Sequence, residues 1–387
     1  MQREGVANIK TINMRNVLNC IVEEHALTRA DISKRLNLSK PTVSSIVKQL
    51  TDDRWILEVG SGSASAGGGR KPVQLKFNAK RSYLIGIDIG GTNVTLGLTD
   101  LNGDVCAYRE FPTQQHLHSG LFEEIERCVD SMRSQLGLQD NDILGLGVGL
   151  PGITNVEEGF VVEAPALGWK HYPVREKLEN IFDFPIYVDN DVNSVVLGEH
   201  WKGAANDKSN LIYIAIGTGI GSGIILNGEL YRGSNYSAGE MGYLVTDRKN
   251  AKEIQPVFKG YGYLESVASG SSISQLLSTR LNRDVTAKEA FELYAQHDAD
   301  AMSVIDLAID NLAIGIANYV SLFDPEIIIL GGGVSKSFHL ISEKVIDIIR
   351  QHTPQHCDVV QTTLGKEAGV IGAAALFLKE HDLLLNI

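Results

Sequence analysis

Cysteine is scarce in this chain of 387 residues: there are four, at positions 20, 106, 128 and 357, and no Cys-x-x-Cys pair. That spacing argues against a zinc knuckle and against a disulfide framework, and fits reduced thiols in packed positions. Long apolar runs are also missing. None reaches the roughly 18–20 residues that a helix needs to span a bilayer. The opening Met1-Gln-Arg-Glu-Gly5 is not followed by the apolar region of a secretion signal. The expectation is a cytoplasmic protein with no membrane contact. Positive charge is in deficit as well, with 35 Lys and Arg against 47 Asp and Glu.

The deficit is unevenly distributed. Residues 1–80 hold 13 basic and 7 acidic side chains, a balance of +6, which leaves 22 basic and 40 acidic for the rest, a balance of −18. A basic head on an acidic body confines any contact with a polyanion to the head. Apolar residues make up 43% and charged residues 21%, as in ordinary globular proteins. The length allows two or three domains of roughly 150 residues each.

Three short helices are legible in the head. Met14, Val17, Leu18, Ile21 and Val22 recur at helical spacing near 10–24. Thr28 and Asp31 have the spacing of a capping box that opens a second helix, running to about Leu36. Asn37 and Leu38 turn the chain, and Ser39 caps a third helix with Pro41 in its first turn. In that helix Val43, Ile46, Val47 and Leu50 face a core, while Lys40, Thr42, Ser44, Ser45 and Lys48 form the opposite face. Short hydroxyls and long cations suit a helix lying in the major groove of DNA. Trp55–Val59 and Val73–Phe77 alternate as strands around a Gly/Ser-rich stretch ending in Gly69-Arg70-Lys71-Pro72. Residues 60–72 are either the wing of a winged helix, with Arg70 and Lys71 entering a minor groove, or a flexible linker.

From Tyr83 the pattern changes to short β-branched runs. Strands are expected at 84–88, 94–98, 105–111, 144–149 and 186–188, and again at 211–217, 223–226 and 327–330. Helices are expected near 121–136, 193–201, 263–279, 301–322 and 336–350. Two β-rich halves that each begin with a glycine-bearing turn predict two lobes with a cleft between them. Gly90 and Gly91 would let backbone N–H groups approach a phosphate, with Thr92 donating to it and Asp88 holding a hydrated Mg²⁺. Gly217-Thr218-Gly219 offers a second cradle, and Gly331-Gly332-Gly333 a surface on which adenine could lie.

These segments resemble the ROK family of repressors, open reading frames and kinases. The matching stretches are Asp88-Ile-Gly-Gly-Thr92, Leu150-Pro-Gly152, Asn190-Asp191, Gly217–Gly223, Ala238-Gly-Glu-Met-Gly242, Asp324-Pro-Glu326, Leu330–Gly333 and Ala368–Ala374. The head resembles that of the repressor branch. The resemblance implies a winged helix-turn-helix over 1–80 and then an α/β actin-like (ribonuclease H-like) sugar-kinase fold. Its lobes would be 81–192 and 193–387, with the C-terminal helix returning to the first. In the family's kinases the position of Asp191 is the general base toward a sugar hydroxyl, and those of Asn190, Glu240 and Glu265 bind sugar hydroxyls.

The chain departs from the family at the structural zinc, which is held there by one His and three Cys. Tyr243, Pro256, Phe258 and Tyr263 occupy those positions, and none can ligate zinc. Aromatic packing by Phe258, Tyr261 and Tyr263 is expected in its place, with Tyr243 offering the sugar one O–H. Ala166 stands where the kinases carry an Asn that touches the sugar. The phosphate-binding turns are intact, so ATP and Mg²⁺ remain open. The expectation is a sugar-responsive repressor, a homodimer or dimer of dimers on operator DNA. The alternative is an ATP-dependent sugar kinase carrying a helix-turn-helix head.

Overall fold

The computed structural model describes residues 2–24, 27–61, 73–249, 251 and 263–381. Its first unit consists of α1 (Gln2–Glu23), β1 (Leu27–Thr28), α2 (Arg29–Arg35), α3 (Lys40–Asp52), β2 (Ile56–Ser61) and β3 (Val73–Phe77). Capping sets the angles between the helices. Thr28 Oγ1 accepts from Asp31 N–H at 3.3 Å, and Asp31 Oδ2 accepts from Thr28 N–H at 3.0 Å. Asn37 takes a left-handed φ of 52° between α2 and α3, a region that Asn tolerates better than most residues. Ser39 Oγ accepts from Thr42 N–H at 3.3 Å, and Pro41 sits where its missing N–H costs no helical bond. Val43, Ile46, Val47 and Leu50 are buried. The sheet order is β1-β3-β2, with a bulge between Val59 and Ser61. The first helix begins at Gln2, earlier than its apolar periodicity near residue 10 indicates.

The body has two five-stranded sheets built to one plan. In the first, β4 (Tyr83–Ile89), β5 (Asn93–Asp100) and β6 (Val105–Pro112) form a meander. α4 (Thr113–His116) and α5 (Leu121–Leu136) cross back to β7 (Ile143–Leu150). β8 (Ile153–Asn155), β9 (Phe160–Ala164) and β10 (Trp169–Tyr172) make a small separate sheet before α6 (Val174–Glu179) and β11 (Ile186–Asn190). The five-stranded order is β11-β7-β4-β5-β6, with β4, β7 and β11 parallel.

After α7 (Asp191–Trp201) the plan repeats with β12 (Leu211–Ile216), β13 (Ile220–Leu226) and β14 (Glu229–Leu230). Among the described residues the helices α8 (Tyr263–Ala268), α9 (Gly270–Leu281), α10 (Ala287–Ala295) and α11 (Ala299–Phe323) follow and, after β15 (Ile327–Gly331), α12 (Phe338–His352). β16 (Asp358–Gln361) and α13 (Ala368–Glu380) complete it. The sheet order is β14-β13-β12-β15-β16. Both sheets therefore run as a three-stranded meander extended by two parallel strands, and each last strand feeds a helix, α7 or α13. The helix expected across 263–279 is two helices, because Ser269 accepts from Ser272 N–H at 3.1 Å and starts a new one.

α13 packs against α7 and lies directly on the backbone of the first sheet. A Cβ on Gly147 would stand 1.8 Å from the Ala373 carbonyl oxygen. The same helix reaches the head. Ala374 and Phe377 share one buried cluster with Val17, Ile21, Val47 and Trp55 of the first unit. Arg81 reinforces the junction: its guanidinium lies 4.1 Å from the Trp55 ring centre, and its Nε donates to Asp53 O at 2.9 Å.

Candidate functional site

The sheet register brings the acidic residues together. Asp88 and Asp189 both pair with Gly149, so β4, β7 and β11 end in one row. Ligands of open α/β sheets gather outside the carboxyl ends of parallel strands. Asp191 begins α7 there, and a Cβ on Gly149 would lie 3.2 Å from its Cα. From the second lobe comes Glu240, on a loop stapled to β13. Ser222 N–H donates to Gly239 O at 2.8 Å, and Gly239 has a φ of +90° that a side chain would strain. Glu265 on α8 is fixed because its Oε2 accepts from Ile220 N–H at 2.7 Å.

Four carboxylates thus converge, and two of them, Asp88 and Glu240, feel the charge of their neighbours. Burial, then Asp191, pushes Asp88 up to about 7. Burial carries Asp191 to about 6 against the pull of the Val192 N–H. Burial, then Asp191 and Glu265, pushes Glu240 up to about 7. Burial also raises Glu265, opposed by its bond from Ile220. Partly desolvated carboxyls of this kind can accept hydrogen bonds from a polyhydroxylated ligand, and Asp191 and Glu240 change protonation near neutral pH. Tyr243, 47% exposed, stands beside them, its hydroxyl pushed up by burial and then by Glu240 and Glu265.

Several residues singled out from the sequence also have structural roles. Asn190 caps α7: its Oδ1 accepts from Val192 N–H at 2.9 Å and Asn193 N–H at 3.1 Å, and its Nδ2 donates to Gly152 O at 2.9 Å. Its side chain also bonds the Asp191 carboxyl and holds it down against burial. The Gly90 N–H closes its hairpin onto Asn93 O at 3.0 Å and cannot also face a phosphate. Gly91 and Thr92 form the tip, and a Cβ on Gly91 would lie 3.1 Å from that of Ala166. Gly217 N–H likewise bonds Gly219 O at 2.9 Å, and a Cβ on Gly219 would meet Glu265 Oε2 at 2.6 Å. Thr218 is exposed, with its carbonyl accepting from the Ser271 hydroxyl.

The glycines expected to border adenine differ in their surroundings. A Cβ on Gly331 would meet the Tyr213 hydroxyl at 1.8 Å, and one on Gly332 the Ile216 carbonyl oxygen at 2.5 Å. Both glycines make room for the lobe's own packing. Gly217 and Gly333 have open space where a side chain would stand.

In the head, Lys40, Ser44, Ser45 and Lys48 are exposed on α3. Thr42 is half-buried, and its hydroxyl lies 2.7 Å from Ser39 Oγ. Arg70, Lys71, Pro256, Phe258 and Tyr261 lie outside the described residues. Tyr243 and Tyr263 carry no thiolate or imidazole, and among the described residues no three His, Cys, Asp or Glu side chains form a metal group. No helix among the described residues is long and apolar enough to cross a membrane.

Asp189 was not singled out, since nothing marks it beyond its place before Asn190. It is 1% exposed, and Arg232 Nε donates to its Oδ2 at 2.7 Å.

Known proteins match most of this arrangement. The family model described as "ROK family" matches residues 84–380, and that described as "Winged helix-turn-helix DNA-binding" matches 11–56. The chain is 31% identical to the xylose repressor of Caldicellulosiruptor bescii, covering 89% of each chain. It resembles the crystal structure of a ROK family transcriptional regulator, a homolog of the E. coli MLC protein, with a TM-score of 0.81, 25% identity and 96% of each chain covered. It also resembles a ROK family glucokinase from Streptomyces griseus in complex with glucose and AMPPNP, with a TM-score of 0.63, 28% identity, 76% of this chain and 99% of that one. The chain belongs to the ROK family and carries an N-terminal winged helix-turn-helix.

Proposed function

We propose that this protein is a sugar-responsive transcriptional repressor of a carbohydrate-utilisation operon. A monosaccharide or derivative binds between the lobes at Asp191, Glu240, Glu265 and Tyr243, and its occupancy sets how α3 grips operator DNA. The observation that carries this reading is the buried cluster in which Ala374 and Phe377 of α13 pack among the core residues of the head. A DNA reader packed that firmly against the body feels a change in lobe angle. The match to the xylose repressor named above, over 89% of each chain, supports the reading further. The protein acts in the cytoplasm as a homodimer, so two heads meet two half-sites about one helical turn apart. Footprinting on the DNA upstream of its own gene tests this: paired protections at that spacing are expected, and uniform protection would refute it.

A kinase reading has its own support. Asp88 and Asp191 are electrostatically coupled, and Gly217 and Gly333 border open space. ATP with Mg²⁺ would fit against Thr218 and Gly333, with Asp88 toward the metal, and would supply the phosphoryl group. Asp191 would then hold the proton of the attacking sugar hydroxyl. An ADP-release assay over pentoses, hexoses and amino sugars separates the readings: turnover above about 1 s⁻¹ lies in the enzyme range.

A further inference from the structure

We propose that Arg232 is the positioning residue through which the sugar cleft addresses the DNA-reading head. This rests on the function proposed above. Arg232 follows β14 and opens the loop that carries Glu240: its carbonyl accepts from Ala238 N–H at 3.1 Å. Its guanidinium reaches two other parts of the molecule. Nε donates to Asp189 Oδ2 at 2.7 Å, and Nη2 donates to Glu380 Oε1 at 2.6 Å.

Each partner is itself an anchor. Asp189 Oδ1 accepts from Asn190 N–H at 2.7 Å and from Asn193 Nδ2 at 3.0 Å, which fixes the first turn of α7 where Asp191 stands. Glu380 is the last residue of α13. Its neighbour Lys379 pairs with Glu229 at 2.6 Å, so residues 229–232 hold the end of that helix twice. One turn earlier, Phe377 lies in the head's buried cluster, with the Tyr187 ring at 5.5 Å and the His381 ring at 4.8 Å. At the other end of α13, a Cβ on Gly369 would stand 2.3 Å from Asp88 Oδ2.

One side chain therefore ties the Glu240 loop, the base of the Asp191 turn and the helix that meets the head. A planar guanidinium holds two carboxylates in a fixed relative geometry, which an ammonium does not. Movement of the Glu240 loop toward a bound sugar pulls on Glu380 and so on the seat of the head. Coupling of this type changes affinity by about 5–150-fold.

The test uses the full chain, titrated onto a fluorescent upstream fragment with and without a saturating sugar, and with the sugar affinity measured calorimetrically. Glu380→Gln is nearly isosteric and leaves the Asp189 pair in place. It is expected to keep both sugar affinity and sugar-free DNA affinity within about twofold, and to cut the sugar-induced change in DNA affinity about fivefold or more. Arg232→Lys is expected to lose coupling in part and Arg232→Gln in full. A full sugar response in Glu380→Gln, or a loss explained by weaker sugar binding alone, overturns the proposal. A wild-type chain that binds the fragment without any sugar response overturns the functional reading as well, so the two failures are distinct.

Discussion

Gly198 of α7 and Gly372 of α13 bring their helix backbones together at the centre of the body: a Cβ on Gly198 would lie 2.9 Å from Gly372 Cα. A Cβ on Gly372 would meet the Ser194 carbonyl oxygen at 2.5 Å. Backbone cannot move aside as a side-chain tip can. Gly372→Ala should therefore destabilise the protein by about 1–3 kcal/mol, the usual cost of overpacking. Gly333→Ala faces open space and should leave stability unchanged while weakening any nucleotide affinity. Urea unfolding of both variants checks this, and equal midpoints would contradict it.

Acid should stabilise the empty protein. Glu240 rises from 4.5 to about 7 on folding, and Asp88 from 3.8 to about 7. Between those limits the folded chain keeps protons that the unfolded chain has released. Stability is then greatest at the low end of the window and falls as pH climbs through it. Glu240→Gln should remove its share of that fall, roughly 1–3 kcal/mol by pH 8. Unfolding at pH 5.5, 6.5 and 8 measures it, and parallel declines in variant and wild type would refute the assignment.

Sugar binding should carry the opposite dependence. Ionised carboxylates are the better acceptors for hydroxyl donors, so affinity should rise from pH 6 to pH 8 as Asp191 and Glu240 lose their protons. Calorimetry in buffers of different ionisation heat should detect proton release on binding. Glu240→Ala should abolish the sugar response and leave DNA affinity intact. A response that persists would place the ligand elsewhere.

The third helix should read DNA through its cations. Lys40→Ala and Lys48→Ala should each weaken binding across all sequences and flatten the salt dependence by about one charge. Thr42→Ala keeps the backbone N–H that Ser39 Oγ caps and removes only the 2.7 Å contact between the two hydroxyls, so it should leave the salt dependence unchanged. Affinity that is indifferent to both lysines would mean another surface meets the duplex.

Local rules were legible in the sequence, and long-range pairings were not. The Thr28–Asp31 box, the Ser39 cap and the buried stripe of α3 follow from spacing alone, because each is closed within a few residues. So do the meander strands and their turns. The division of 263–279 at Ser269 was obscured because Ser is tolerated inside helices as well as at caps. That Tyr213, 118 positions earlier, fills the space beside Gly331 is a long-range fact that the sequence does not show. Asn190 looked like a sugar ligand, and its cap role depends on where β11 ends. Asp189, Arg232 and Glu380 come from three distant segments and meet only in the folded chain.

The most direct measurement is an anisotropy titration of the full chain onto its own upstream DNA, repeated with saturating members of a panel of pentoses, hexoses and amino sugars. A shift in the apparent Kd of about fivefold or more with one sugar, absent with the others, is the predicted result. Identical curves with every sugar, together with rapid ATP-dependent phosphorylation of one of them, would contradict the account.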